Sequence, residues 1–439
     1  MPHLKLLSNN PVAATIGHTF ILAFDKFLGF FTTFAIIQKY GEANLGLYSQ
    51  LLYLITLCLQ LFTFNAPIGF LTTVGNFQDS AKRQAFIIKG MILTIIPLSI
   101  GIIIFTIFNK SFISFLIKGQ PENQLWIFIV VILCVELFTE LFIYIYRGLG
   151  NLYYANIAAL VRSSSRFFIL VPILLLDNFR NSLLVGSTLA SLHLIIPCAI
   201  FGIQVFHQKA GRKVLPKISL INFNFHEFVD NDIQNFIRIC SSSFCASLIS
   251  SLFFFGTRTV MTQNLDLDEI GSYALLVTIG SSLMLIVQIV GFSFYPKIIT
   301  LCDKNEFKLS YFMNIKVSMS LVLFSFLVSL LIALINSSTS VINLLTKSSY
   351  YQLLPLSILS YGFLGGYQLF IPRLLKISST KALSIVEISA ASLSFLYLYV
   401  SLSINGASLR LFLISLLIYS FSCFSLIVYK NLNSLKSSL

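Results

Sequence analysis

Six basic residues stand inside otherwise apolar stretches of this chain: Lys26, Arg162, Arg166, Arg238, Arg258 and Lys316. A charge at the centre of a lipid bilayer costs roughly 3 kcal/mol or more even on the most lenient scale. Such residues persist where an acid pairs with them, where they reach the interface, or where they line a path for something charged. Lysine offers a phosphate a point charge, and arginine a bidentate fork. Four carboxylates also fall clearly within apolar stretches: Asp25, Glu136, Glu140 and Glu387. Protonation of such an acid cancels a buried charge and shifts a balance of states, so Asp25 and Glu387 are candidates for H⁺ or Na⁺ coupling.

The elements that must hold these groups are transmembrane helices. The chain is 56% hydrophobic and 10% charged, with a mean hydropathy of +0.88. About 12 apolar runs, each of about 18–25 residues, are long enough to cross a ~30 Å hydrocarbon core. They fall near 13–38, 44–68, 84–108, 125–147, 152–175, 182–206, 233–259, 269–294, 310–335, 352–372, 382–403 and 409–429. No alternation of a barrel strand is present, so the expected class is an all-α polytopic membrane protein. The polar stretch 207–232 divides the spans six and six, which sets expected domains at 1–206 and 233–439 with 207–232 as a linker. With both termini cytoplasmic, the cytoplasmic ends and loops carry 17 Lys and Arg, the opposite side 6, and the spans 6, which accounts for all 29. The formal charge of +13 is therefore read as an orientation signal and not as a nucleic-acid surface.

The two halves echo each other. Gly46 and Tyr48 align with Gly271 and Tyr273 at an offset of 225 residues. Both halves begin on the same side, as in a parallel repeat about an axis along the membrane normal. The glycine is expected in the turn before a helix and the tyrosine at the lipid–water boundary. The same offset maps Arg258 onto Thr33. Positions 26 and 33 share a helix face about two turns, ~11 Å, apart. Lys26 and Arg258 are thus expected at different depths on matching helices.

Spans four and five form a hairpin about Gly148–Asn151. Folding there brings Glu136 and Glu140 beside Arg162, a neutralising charge network. Arg166 is level with Leu133, has no acid opposite it on this hairpin, and is assigned to substrate. Arg238 and Lys316 lie near span ends and are expected to snorkel. The seven cysteines have no metal or redox spacing, and no metal site is expected. No nucleotide-binding loop, HExxH or G-x-S-x-G occurs, so neither an ATPase nor a hydrolase is indicated.

The segments FLGFFTTFAIIQKYGEANLGLYSQ, FNAPIGFLTTVGN, FGTRTVMTQNLDLDEIGSYALLVTIGSSL and FSFYPKI resemble the Wzx-type polysaccharide flippases of the MOP exporter superfamily, which includes the MATE antiporters. The matching residues are Gly46, Tyr48, Pro67, Gly69, Arg258, Gly271, Tyr273 and Pro296. The resemblance implies a MATE-like fold of two six-helix bundles in a V around a central cavity, and a secondary transporter rather than an enzyme. It implies movement of undecaprenyl-pyrophosphate-linked oligosaccharide repeat units across a bacterial inner membrane, with a polysaccharide polymerase and a chain-length regulator as partners. Lys26, Arg258 and Arg166 would hold the pyrophosphate. A MATE-like ion-coupled antiporter of small molecules is the alternative. Its cationic substrates would want an acidic cleft.

Overall fold

A computed structural model of the chain describes residues 11–108, 125–207, 230–337, 351–377 and 380–437. The described residues form helices joined by short turns. They are α1 Pro11–Tyr40, α2 Glu42–Thr63, α3 Ala66–Thr73, α4 Ser80–Ile107, α5 Leu125–Gly148, α6 Leu152–Leu175, α7 Phe179–His207, α8 Asn231–Asn264, α9 Leu267–Ser281, α10 Leu283–Asp303, α11 Phe307–Ser337, α12 Leu354–Ile377, α13 Thr380–Asn405 and α14 Leu409–Ser437. Every apolar run expected to span falls on helix, and 10 spans among the described residues are long and apolar enough to cross a membrane. The runs at 182–206 and 233–259 lie on α7 and α8. Ser241, Ser242, Ser243, Ser250 and Ser251, with Arg238 and Arg258, make α8 less apolar than the others.

Two expected spans are interrupted. The second breaks between α2 and α3, where Phe64 and Asn65 adopt left-handed backbone, φ 49° and 57°. Few non-glycine residues take that conformation, and it stops an α-helix. Pro67 then opens α3, where its missing N–H is not needed. The eighth span bends at Ser282 between α9 and α10, and α10 runs on past Pro296 to Asp303.

By compactness the chain divides into one unit of residues 1–35 and 51–248 and a second of 36–50 and 249–439. The boundaries read from the sequence follow chain order, whereas each unit takes a short segment from the other half. The expected linker lies outside the described residues except at its ends. At one end Asp230 caps α8, accepting from the Ile233 amide at 2.9 Å and from Lys89 Nζ at 2.7 Å. Burial pushes the Asp230 carboxyl up, but the Lys89 and backbone contacts outweigh it and hold the group below its ordinary value.

In the second unit α12 is the hub, packing against α9, α10, α11 and α14. Small residues let these helices approach, and serine hydroxyls fasten them. Gly362 faces Ser325, Ser357 donates to the Leu276 carbonyl at 2.8 Å, and Ser394 donates to the Ser415 carbonyl at 2.6 Å.

The repeat glycines have a different role from the one expected. Gly46 and Gly271 lie inside α2 and α9, where the two helices cross within the second unit. A Cβ at Gly46 would collide with the Leu267 carbonyl, and one at Gly271 with the Glu42 carbonyl. Ser272 and the Glu42 carboxylate hydrogen-bond across the same crossing, and Gln50 donates to Thr262 at 2.7 Å. The tyrosines are buried, Tyr48 at 8% and Tyr273 at 6% exposure, and not at a lipid–water boundary.

Arg373, read from the sequence as a cytoplasmic end charge, is fully buried at 0% exposure. Its guanidinium donates to Ser310 Oγ (3.0 Å), Asn431 Oδ1 (2.5 Å) and the Phe307 carbonyl (3.1 Å), with the Tyr311 ring centroid 5.3 Å away. These partners join α11, α12 and α14 through a cation held by neutral groups.

Two predictions follow from these contacts. Arg373→Met is expected to destabilise the second unit by about 3 kcal/mol, because it leaves the buried Asn431 Oδ1 without its charged donor and removes the bonds to Ser310 Oγ and the Phe307 carbonyl; a lowered thermal midpoint in detergent is the readout. Gly46→Ala and Gly271→Ala should each lower the midpoint more than Gly256→Ala, whose new methyl meets only the Phe395 ring.

Candidate functional site

The hairpin of α5 and α6 builds the site in the first unit. Gly150 takes φ 70°, which closes the turn. The amides of Gly150 and Asn151 then bond back to the carbonyls of Arg147 and Tyr146, each at 2.9 Å. Asn151 caps α6, accepting from the Tyr154 amide at 3.4 Å. This fold-back sets the register of the two helices, and Glu136 and Arg162 meet as an ion pair at 2.5 Å. Glu140 lies in the field of the same guanidinium, so of the expected network the Glu136–Arg162 pair is a direct contact and Glu140 is its neighbour.

Arg166 is not without an acid. Asp25, from the middle of α1, stands 3.2 Å from its Nε. The hairpin alone offered no partner at that depth, and the partner comes from a helix about 140 residues earlier in the chain. Lys26, half-buried on α1, lies in the field of Arg166 and Asp25 and has no ion-pair partner among the described residues. Three basic groups (Lys26, Arg162, Arg166) and three acidic ones (Asp25, Glu136, Glu140) thus share one region, a formal balance of zero.

Much of this cluster opens on a cavity of about 280 Å³. Glu136, Glu140, Tyr144, Arg162 and Arg166 line it, with Asn65 from the helix break opposite. Asn65 donates to Ser247 at 3.0 Å, so the left-handed backbone is tied to α8. Irregular backbone at membrane depth is tolerated where it lines a polar cavity. The Nε of Arg162 is buried with no hydrogen-bond partner, so the guanidinium has donor capacity beyond its pairing with Glu136. The sequence signal for the break was present in Asn65-Ala66-Pro67, since a residue near proline leaves the α region and asparagine tolerates left-handed backbone.

The other candidates lie elsewhere. Arg258 is in the second unit, its guanidinium 4.7 Å from the Tyr273 ring centroid, with Tyr361 also in its field. Glu387 is 5% exposed, and Tyr367 donates to its Oε1 at 2.6 Å. Its Oε2 has no hydrogen-bond partner. Arg238 and Lys316 are exposed, consistent with snorkelling. His193 pairs with Ser164 Oγ at 2.8 Å and lies against Phe168. Among the described residues no three His, Cys, Asp or Glu side chains group as metal ligands.

No protein-family model matches the chain, and no curated protein matches it. Solved structures do. An inward-facing multidrug resistance MATE transporter of the MOP superfamily superposes with a TM-score of 0.68 at 14% identity, covering 97% of this chain and 100% of its own. The fold is that of the MATE transporters. An outward-facing MATE transporter of the same superfamily matches with a TM-score of 0.64 at 13% identity over 99% of this chain and 98% of its own. A MOP-superfamily transporter from Pyrococcus furiosus, described as having a binding pocket of reversed polarity, matches with a TM-score of 0.60 at 13% identity, covering 99% and 98%. The MATE fold agrees with the all-α polytopic class expected from the sequence.

Removing one partner of a buried ion pair strands the other. Arg162→Ala is therefore expected to destabilise the protein more than Arg162→Ala combined with Glu136→Ala. A double-mutant cycle on thermal midpoints should give a coupling of about 1–2 kcal/mol, below the fully buried limit because both side chains are partly exposed.

Proposed function

We propose that this protein is a secondary transporter that flips undecaprenyl-pyrophosphate-linked oligosaccharide repeat units from the cytoplasmic to the periplasmic leaflet of a bacterial inner membrane by alternating access. The observation that carries the reading is the pair of guanidiniums, Arg162 and Arg166, one helical turn apart on the wall of a polar intramembrane cavity. Two adjacent guanidiniums offer each phosphate of a diphosphate a bidentate partner. MATE transporters solved in inward- and outward-facing forms support alternating access as the mode.

The acids give the cycle a coupling device. With no substrate, Asp25 and Glu136 neutralise Arg166 and Arg162. A diphosphate competes for the same guanidiniums, and a proton or Na⁺ on Asp25 frees Arg166 for it. Substrate and coupling ion then favour one state together. Glu387, buried on one neutral hydrogen bond, is the second candidate coupling acid. Lys26, beside Asp25, and Arg258, on the aromatic platform of Tyr273, supply the remaining positive charge for the pyrophosphate. No resident cofactor is invoked.

Orientation with both termini cytoplasmic rests on the lysine and arginine bias. Burial of Arg373 leaves that count unchanged, because its partners Phe307, Ser310 and Asn431 stand at the same helix ends as Lys308 and Lys430. A polysaccharide polymerase and a chain-length regulator are the partners this reading calls for downstream.

One observation favours the alternative, an ion-coupled antiporter of small cations: Glu136 and Glu140 line the same cavity as the arginines. Deleting the gene separates the two. A flippase leaves undecaprenyl-linked repeat units facing the cytoplasm and depletes surface polysaccharide. Normal polysaccharide together with altered drug susceptibility would assign the antiporter instead. In the complemented strain, Lys26→Ala, Arg166→Ala and Arg258→Ala should each reduce export roughly tenfold or more, the value of one charge-assisted hydrogen bond, with normal membrane insertion. Full export by all three variants would overturn the assignment.

A further inference from the structure

In the second unit a groove of about 300 Å³ runs between α10 and α11. Ile286 and Val290 form one wall, Val317, Leu321 and Phe324 the other, and the buried Leu369 of α12 forms the floor. The rim is open, with Ile286 at 37% and Phe324 at 47% exposure. Among the described residues that line it Ser320 is the one polar residue, and its hydroxyl is already used, donating to the Lys316 carbonyl at 2.8 Å. The described lining is otherwise apolar, which suits a hydrocarbon chain.

One end of the groove is cationic. Lys316 lies one turn from Ser320, on the groove-lining stripe of α11. Lys297 lies seven residues beyond Val290, on the corresponding stripe of α10. Both are exposed. The two helices are antiparallel, joined by the turn at Lys304–Glu306 and locked there by Phe294, Ile298 and Cys302 against Phe307, Met313 and Val317. At about 1.5 Å per residue from that turn, Lys297 and Lys316 stand at about 9 and 13 Å, and the groove extends from about 15 to 25 Å. By sequence the turn region holds Lys304 and Lys308 beside Asp303 and Glu306, so that with Lys297 and Lys316 the count is four basic residues to two acidic.

We propose that this groove and its lysines form a binding site for an anionic phospholipid, with one acyl chain in the groove and the phosphate on Lys297 and Lys316. Hydrocarbon lies deep and the cations lie at headgroup depth, reached by their flexible stems. The charge complementarity separates the site from a plain annular contact, which any apolar helix face provides. It is independent of the transport assignment, since its ligand is a component of the bilayer itself.

The test uses tryptophan quenching by brominated lipids. The chain has one tryptophan, Trp126, so Phe324→Trp in a Trp126→Phe background places the reporter in the groove. The full-length protein is titrated in detergent with brominated phosphatidylglycerol and brominated phosphatidylcholine. The expected result is about a tenfold preference for the glycerol lipid, abolished by Lys297→Gln with Lys316→Gln. Leu330→Trp in the same background, on the exposed surface of α11, should show no preference. Equal quenching by the two lipids, or a preference that persists in the double variant, would overturn the proposal. So would displacement by undecaprenyl phosphate at lower concentration than by phosphatidylglycerol, which would assign the groove to a carrier lipid.

Discussion

An ion in hydrocarbon must find another charge, a polarisable face or a full set of hydrogen bonds, and this constraint shapes both units of the protein. Asp25 with Arg166 and Glu136 with Arg162 use the first solution. Arg258 over Tyr273 uses the second. Arg373 among Ser310, Asn431 and the Phe307 carbonyl uses the third, whereas Glu387 has the Tyr367 hydroxyl on one carboxylate oxygen. Arg238 and Lys316 lie on the protein's surface near the starts of α8 and α11, where long stems let a charge reach the interface. In each buried case the partner belongs to a different helix. The charges therefore specify which helices are neighbours, something uniform apolar packing cannot do among side chains that all resemble lipid.

The balanced cluster in the first unit differs in kind from the buried arginine of the second. Arg373 is fully buried among fixed neutral partners. Arg162 and Arg166 are paired by acids whose charge a proton can cancel, and they line open space. The first arrangement holds a structure; the second can exist in more than one charge state at modest cost. That contrast, rather than the presence of buried arginine as such, distinguishes a cation fixed in place from one whose pairing can change.

What the sequence made legible was local. Apolar run lengths placed the helices, and the turn at Gly148–Asn151 set the register that joins Glu136 to Arg162, because a tight hairpin leaves little freedom in pairing. The Asp25–Arg166 pair was hidden, since nothing in a single sequence says which distant helix packs against α6. The burial of Arg373 was hidden because it stands at the end of an apolar run, where a snorkelling charge and a buried one look alike. The break at Phe64–Asn65 was masked by hydropathy, which reports apolar length and not continuity. Gly46 and Gly271 were found as a repeat but assigned to turns. A glycine required by a neighbouring backbone carries the same letter as one required by its own dihedral angle.

The crossing of α2 and α9 has an evolutionary consequence. If the halves descend from one duplicated ancestor, equivalent glycines from the two copies now occupy a single contact, each facing the other helix's backbone. Neither copy can acquire a side chain there without intruding on the other, so divergence elsewhere in the halves leaves these two positions tethered. The junction that duplication created would thus be among the last places where its traces fade, which is why a faint Gly-x-Tyr echo still stands out between halves that otherwise share little.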